Sequence, residues 1–141
     1  MECTVFGCHR LALSARLKPM LAVGVANELP SADGILLRDE AAAQQILIVS
    51  GGSYWLRRFP AACIVSCGMS SRDSVSCSSI SGNRASVSVM RELPVITGGR
   101  LDVQEICVPL RAPFSAELLA IAMAALLCAG RSPEEIVAQP F

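Results

Sequence analysis

Residues 46–59 run ILIVSGGSYWLRRF: an apolar stretch, two glycines between serines, then an amphipathic segment. A strand that enters a helix through a Gly-rich turn is a common place to hold phosphate, because backbone N–H groups and the positive end of the helix converge there. Ser50, Gly51, Gly52 and Ser53 are therefore the candidate ligand-binding residues. Two glycines fall short of a GxGxxG fingerprint, and no acid sits in the required place about 20 residues on. A tight strand-to-helix corner, in which glycine supplies positive φ, accounts for the same residues without any ligand.

The other residues able to do chemistry are few. His9 is the only histidine and Lys18 the only lysine. Seven cysteines (Cys3, Cys8, Cys63, Cys67, Cys77, Cys107, Cys128) form no CxxC pair and sit in apolar or strand-like runs. There cysteine behaves as a small hydrophobe, so reduced, buried thiols are expected. Cys3, Cys8 and His9 can supply three zinc ligands, yet no fourth is evident and the spacing fits no common zinc template, so no metal is assigned. A thiolate paired with His9 is the other use of these residues, through Cys8 or a thiol brought near in the fold. If Cys8 and His9 share a strand, they face opposite ways. No GxSxG elbow occurs, and no catalytic residue is assigned.

Composition narrows the class. At 141 residues the chain is expected to form a single α/β domain over 1–141. It is 52% hydrophobic and only 17% charged, so it either buries much of itself or covers apolar surface with a partner; a homo-oligomer or a docked subunit is expected. Twelve basic and twelve acidic residues cancel, and nothing clusters beyond Arg57-Arg58, which argues against nucleic acid. The longest apolar run, LLAIAMAALLCAG from Leu118, is too short to span a membrane. Glu2 and the lack of a long apolar run near the N-terminus argue against a leader, so a cytoplasmic location is expected.

The elements follow from periodicity and punctuation. PMLAVGVANELP (19–30) reads as a short strand between prolines, and ILLRD as another after the Asp33-Gly34 turn. DEAAAQQ (39–45) reads as a brief helix with acids in its first turn, and ILIVS (46–50) as a strand buried on both faces of a parallel sheet. SYWLRRF (53–59) predicts a helix of about two turns before Pro60, and AACIVSCGM (61–69) another apolar strand. Tyr54 and Trp55 on that helix suit helix–sheet packing or an exposed aromatic contact. The serine-rich tract 70–82 alternates, with Val75 and Cys77 on one face, and predicts a half-exposed strand. It pairs through the turn SGN (81–83) with RASVSVMREL, and residues 94–110 supply a second hairpin around Gly98-Gly99. Ser115 caps an Ala-rich helix ended by Gly130, either core or subunit interface, and SPEEIVAQ opens with a capping box. The expected fold is α/β: a small mostly parallel sheet with an antiparallel hairpin extension and helices packed on it.

Two stretches carry a family resemblance: ILIVSGGSYWLRRFPAACIVSCGMSSRDSVSCSSI, and EICVPLRAPFSAELLAIAMAALLCAGRSPEEIVA. In texture and order, residues 46–138 resemble the C-terminal half of the central domain of the Mur ligases, the ATP-dependent enzymes that add amino acids to the peptidoglycan precursor. The departures bear on activity. The chain has no GxxxxGK[ST], so a P-loop is absent. The family's His-Asn pair at the adenine end of the ATP site falls on Phe114-Ser115, and a second asparagine on Leu118. Gly51-Gly52 stand where the family has an acidic turn. The resemblance therefore implies a cell-wall-related pseudoenzyme, an interaction or assembly module beside a ligase-like partner, with no cofactor of its own. The alternative from the residues themselves is a small-molecule or nucleotide-binding protein using the turn at 50–53. A weak enzyme built on a cysteine thiolate is the third option.

Overall fold

Most of the alternating and continuous apolar runs become strands. The computed structural model describes residues 1–26, 32–51, 63–138 and 140–141. Its main sheet contains β1 (Glu2–Phe6), β2 (Gly24–Val25), β3 (Gly34–Asp39), β4 (Gln44–Ser50), β5 (Cys63–Gly68), β6 (Val75–Ser81), β7 (Arg84–Val89) and β10 (Gln104–Pro109). The spatial order is β10-β7-β6-β5-β4-β3-β1-β2. A small second sheet pairs β8 (Leu93–Pro94) with β9 (Arg100–Leu101) around Gly98 and Gly99, both at positive φ. Among the described residues the helices are α1 (Arg10–Leu17), α2 (Ala116–Cys128) and α3 (Pro133–Val137).

The sheet is mixed, not mostly parallel. β1–β2, β4–β5 and β5–β6 are parallel pairs, whereas β1–β3, β3–β4, β6–β7 and β7–β10 are antiparallel. The difference arises chiefly at residues 39–45, where a hairpin turn replaces the expected helix. Seven residues are too few to nucleate a helix unaided, and the turn has its own chemistry. The Asp39 carboxylate accepts from the Ala41 N–H (3.0 Å), Glu40 O accepts from the Ala43 N–H (3.2 Å), and Ala43 takes φ 52°. ILLRD therefore folds back on QQILIV, with Leu37 opposite Ile46 and Ile35 opposite Ile48. Of the strand expected over 19–30, residues 19–26 contribute only the two residues of β2, and residues 27–30 lie outside the described residues. The second expected hairpin also divides: β8 pairs with β9, while β10 joins the main sheet beside β7. The helix expected at 53–59, with Tyr54 and Trp55, lies outside the described residues.

The main core lies on one face of the sheet, and a smaller cluster of Phe6, Leu47 and Val49 on the other. α2 is capped by Ser115, whose side chain accepts from the Leu118 N–H, and it ends where Gly130 takes φ 100°. Every residue from Leu118 to Cys128 is buried, against Val65, Cys67, Val75, Cys77 and Val87 of the sheet and Leu13, Leu17, Leu93, Ile96 and Ile136 in the same cluster. The helix is thus core, covered on its outer flank within the chain. On β7 the apolar Ala85, Val87 and Val89 face this core and Ser86 and Ser88 turn away, the alternation that the serine-rich hairpin predicts.

Strand direction places the functional edge. From the pairings, β1, β2, β4, β5, β6 and β10 point one way and β3 and β7 the other. β5 meets β6 only through Cys67–Val75 and Gly68–Ser76, so β6 begins where β5 ends and continues past it. A parallel pair normally needs a long crossover; here the six residues Met69–Ser74 step sideways instead. The sheet therefore has a step, with the ends of β4 and β5 as its floor.

Candidate functional site

In parallel α/β sheets ligands settle outside the carboxyl ends of the strands, and β4, β5 and β6 form a parallel section of this sheet. Ser50 closes β4 and Gly51 follows it, its N–H donating to Cys67 O at 2.8 Å across the strand ends. Gly52 and Ser53, the other two residues expected at the site, lie outside the described residues. At the step in the sheet is a shallow crevice of about 440 Å³, lined by Gly51, Gly68, Met69, Ser70, Asp73 and Glu117 around Cys67.

Asp73 shapes this crevice. Its side chain is 7% exposed and lies over both glycines: a Cβ on Gly51 would stand 2.1 Å from Oδ1, and one on Gly68 2.6 Å from Oδ2. The loop that carries it is closed by two reciprocal bonds. The Ser70 N–H donates to Asp73 Oδ2 (3.1 Å), and the Asp73 N–H donates to Ser70 O (3.0 Å). Glu117, in the first turn of α2, adds a second carboxylate. Two negative charges exceed the roughly half unit of positive charge at the start of a helix, so the crevice is acidic. Burial, then the neighbouring Cys128, Asp73 and Glu117, push the Cys67 thiol well above its ordinary range. Cys67 is therefore a neutral floor residue, not a nucleophile.

A second group stands on the same edge. Gly7 takes φ 103° after β1, and the tight turn carries Cys8 and then His9, which precedes α1. Asp33, just before β3, reaches this turn because β3 lies beside β1. Its Oδ1 accepts from the His9 N–H (2.8 Å), and its Oδ2 is 2.7 Å from His9 Nδ1. Cys8 Sγ is 3.4 Å from the same nitrogen. Because Cys8 and His9 occupy a turn and not a strand, their side chains meet, against the expectation that they diverge. Cys3 is buried in β1 and is not part of the group.

No family model, curated protein or solved structure matches the chain. Its site must therefore be read from its own geometry.

The sequence points to the corner at Ser50-Gly51 but not to the two acids that line the crevice beside it. Asp73 sat inside a tract read as a strand, and Glu117 behind a helix cap, where acids are ordinary. Asp33 was read as a turn residue. The only signal that could have singled them out is a loop aspartate in a chain whose strands end in glycine.

Proposed function

We propose that this chain is a non-catalytic binding domain that takes a small molecule along the carboxyl edge of its sheet, across the ends of β4 and β5, and that the group it recognises is an amine or a similar small cation. One observation carries this: Asp73 and Glu117 both line the crevice beside Gly51, and no lysine or arginine is among the described residues lining it. An ammonium group there gains charge-assisted hydrogen bonds, whereas a phosphate faces two carboxylates. The Gly-rich turn is thus better suited to an amine than to a nucleotide. The resemblance to the Mur ligases supports an assembly role beside a ligase-like partner. However, α2, the apolar element that composition offered to such a partner, is covered inside the chain.

The test is a thermal-shift screen of the purified chain against amines, amino acids and nucleotides, followed by titration of the best compound. The expected result is stabilisation by an amine-bearing compound, with Asp73→Asn and Glu117→Gln each weakening binding about tenfold or more, the value of a hydrogen bond to a charged group. Stabilisation by a nucleoside triphosphate that survives both substitutions would overturn the proposal.

A further inference from the structure

The arrangement of Cys8, His9 and Asp33 excludes one use and fits another. In a nucleophilic triad the acid holds one ring nitrogen and the nucleophile addresses the other. Here Asp33 Oδ2 and Cys8 Sγ both face His9 Nδ1, at 2.7 and 3.4 Å, so thiol and acid converge on a single nitrogen. One ligand atom from each residue lies within 4.8 Å of the other two. Three donor atoms this close together are what a metal ion requires.

We infer that Cys8, His9 and Asp33 bind a divalent transition-metal ion, and that zinc is the ion their thiolate, imidazole and carboxylate groups suit. In a tetrahedral zinc shell, bond lengths of about 2.0–2.3 Å put a ligand nitrogen and sulfur roughly 3.5 Å apart, and a nitrogen and oxygen roughly 3.3 Å apart. The observed Cys8–His9 separation of 3.4 Å already meets the first value. The His9–Asp33 separation opens by about 0.6 Å to meet the second, a small swing for a carboxylate whose other oxygen stays on the His9 N–H. The backbone is shaped for this approach. A Cβ on Gly7 would lie 2.4 Å from Asp33 Oδ1 and 2.5 Å from its Cα, so only glycine admits Asp33 to the turn. The two anionic ligands outweigh the roughly half unit of positive charge at the start of α1. Three protein ligands leave one tetrahedral position to water or to an exogenous ligand.

The site is separate from the Asp73 crevice, three strand spacings or roughly 14 Å along the edge, so each can fail alone. Isothermal titration of the reduced chain with zinc chloride should give one equivalent bound at micromolar concentration or tighter, with protons released. Cys8→Ser and His9→Gln should each weaken binding about 100-fold or more. Cys63→Ser, Cys107→Ser and Asp73→Asn should leave it unchanged; Cys63 and Cys107 are the other exposed thiols. Cobalt(II) should give tetrahedral absorption with a thiolate charge-transfer band that Cys8→Ser removes. Circular dichroism checks that the variants fold, and alkylation of Cys8 in the Cys63→Ser, Cys107→Ser double variant repeats the test without replacing a ligand residue. Absence of zinc binding at hundred-micromolar concentration, or binding indifferent to Cys8→Ser or His9→Gln, overturns the inference.

Discussion

Gly51→Ala probes the crevice most directly. The added methyl would stand 2.1 Å from Asp73 Oδ1 and 3.1 Å from its Cγ, so the carboxylate must give way. Asp73 is 7% exposed and its Oδ2 accepts from the Ser70 N–H at 3.1 Å, so moving it breaks a charge-assisted bond in a nearly closed space. That loss is worth about 1.5–3 kcal/mol. Asp73→Ala removes the same bond and should cost a similar amount. In the Asp73→Ala background, however, the methyl meets no carboxylate. Gly51 is not at positive φ, so alanine there should be neutral or stabilising by up to about 1 kcal/mol through the entropy of the unfolded chain. The double variant should therefore be about as stable as Asp73→Ala alone, a coupling of roughly 2 kcal/mol. Urea unfolding followed by circular dichroism, with the four proteins fitted to a common slope, measures it. If Gly51→Ala costs the same in both backgrounds to within about 0.5 kcal/mol, Asp73 does not occupy the space over Gly51, and the acidic crevice is refuted with it.

Two further predictions use the same unfolding assay. Gly7→Ala should destabilise by about 3 kcal/mol or more, because strain at φ 103° adds to a clash 2.5 Å from the Asp33 backbone. Gly82→Ala, at φ 60° with nothing within 4 Å, should cost only about 1–2 kcal/mol; equal costs would remove the close approach of Asp33. Burial pushes the Cys3 and Cys128 thiols from 9.0 up to about 12. Between those values the unfolded chain has lost protons that the native chain keeps, so stability should be level below about pH 8 and fall above pH 9, by up to about 1.4 kcal/mol per pH unit for each thiol. Cys128→Ala should make the decline shallower, and stability that rises from pH 9 to 11 would contradict the burial.

Local signals were legible wherever the chain's own neighbours decide the structure. Ser115 and Gly130 bound α2, and Ser132 with Glu135 forms the capping box at α3. Gly82 and Asn83 turn β6 into β7. What could not be read was the order of strands, because ILLRD is equally a parallel or an antiparallel strand until its partner is known. That order decides the rest. Cys8 and Asp33 are 25 residues apart and meet only because β3 inserts between β1 and β4.

The same dependence explains why the acids of both sites escape a residue-by-residue reading and why the sites share an edge. Gly7, Gly51 and Gly68 each look like a corner that needs backbone freedom, yet only Gly7 of the three has positive φ. At all three the absent side chain is replaced by an aspartate from the loop before the adjacent strand or the next one along: Asp33 over Gly7, Asp73 over Gly51 and Gly68. An acid buried against backbone in this way loses solvation that a backbone N–H only partly restores. Both carboxylates stand beyond the strand ends, Asp33 against His9 and Asp73 at the crevice. Since six of the eight strands of the main sheet end on that side, successive aspartates build one acidic rim, with the thiol and imidazole of Cys8 and His9 at its far end. Under the proposed function, this rim is the surface that meets the positively charged guest.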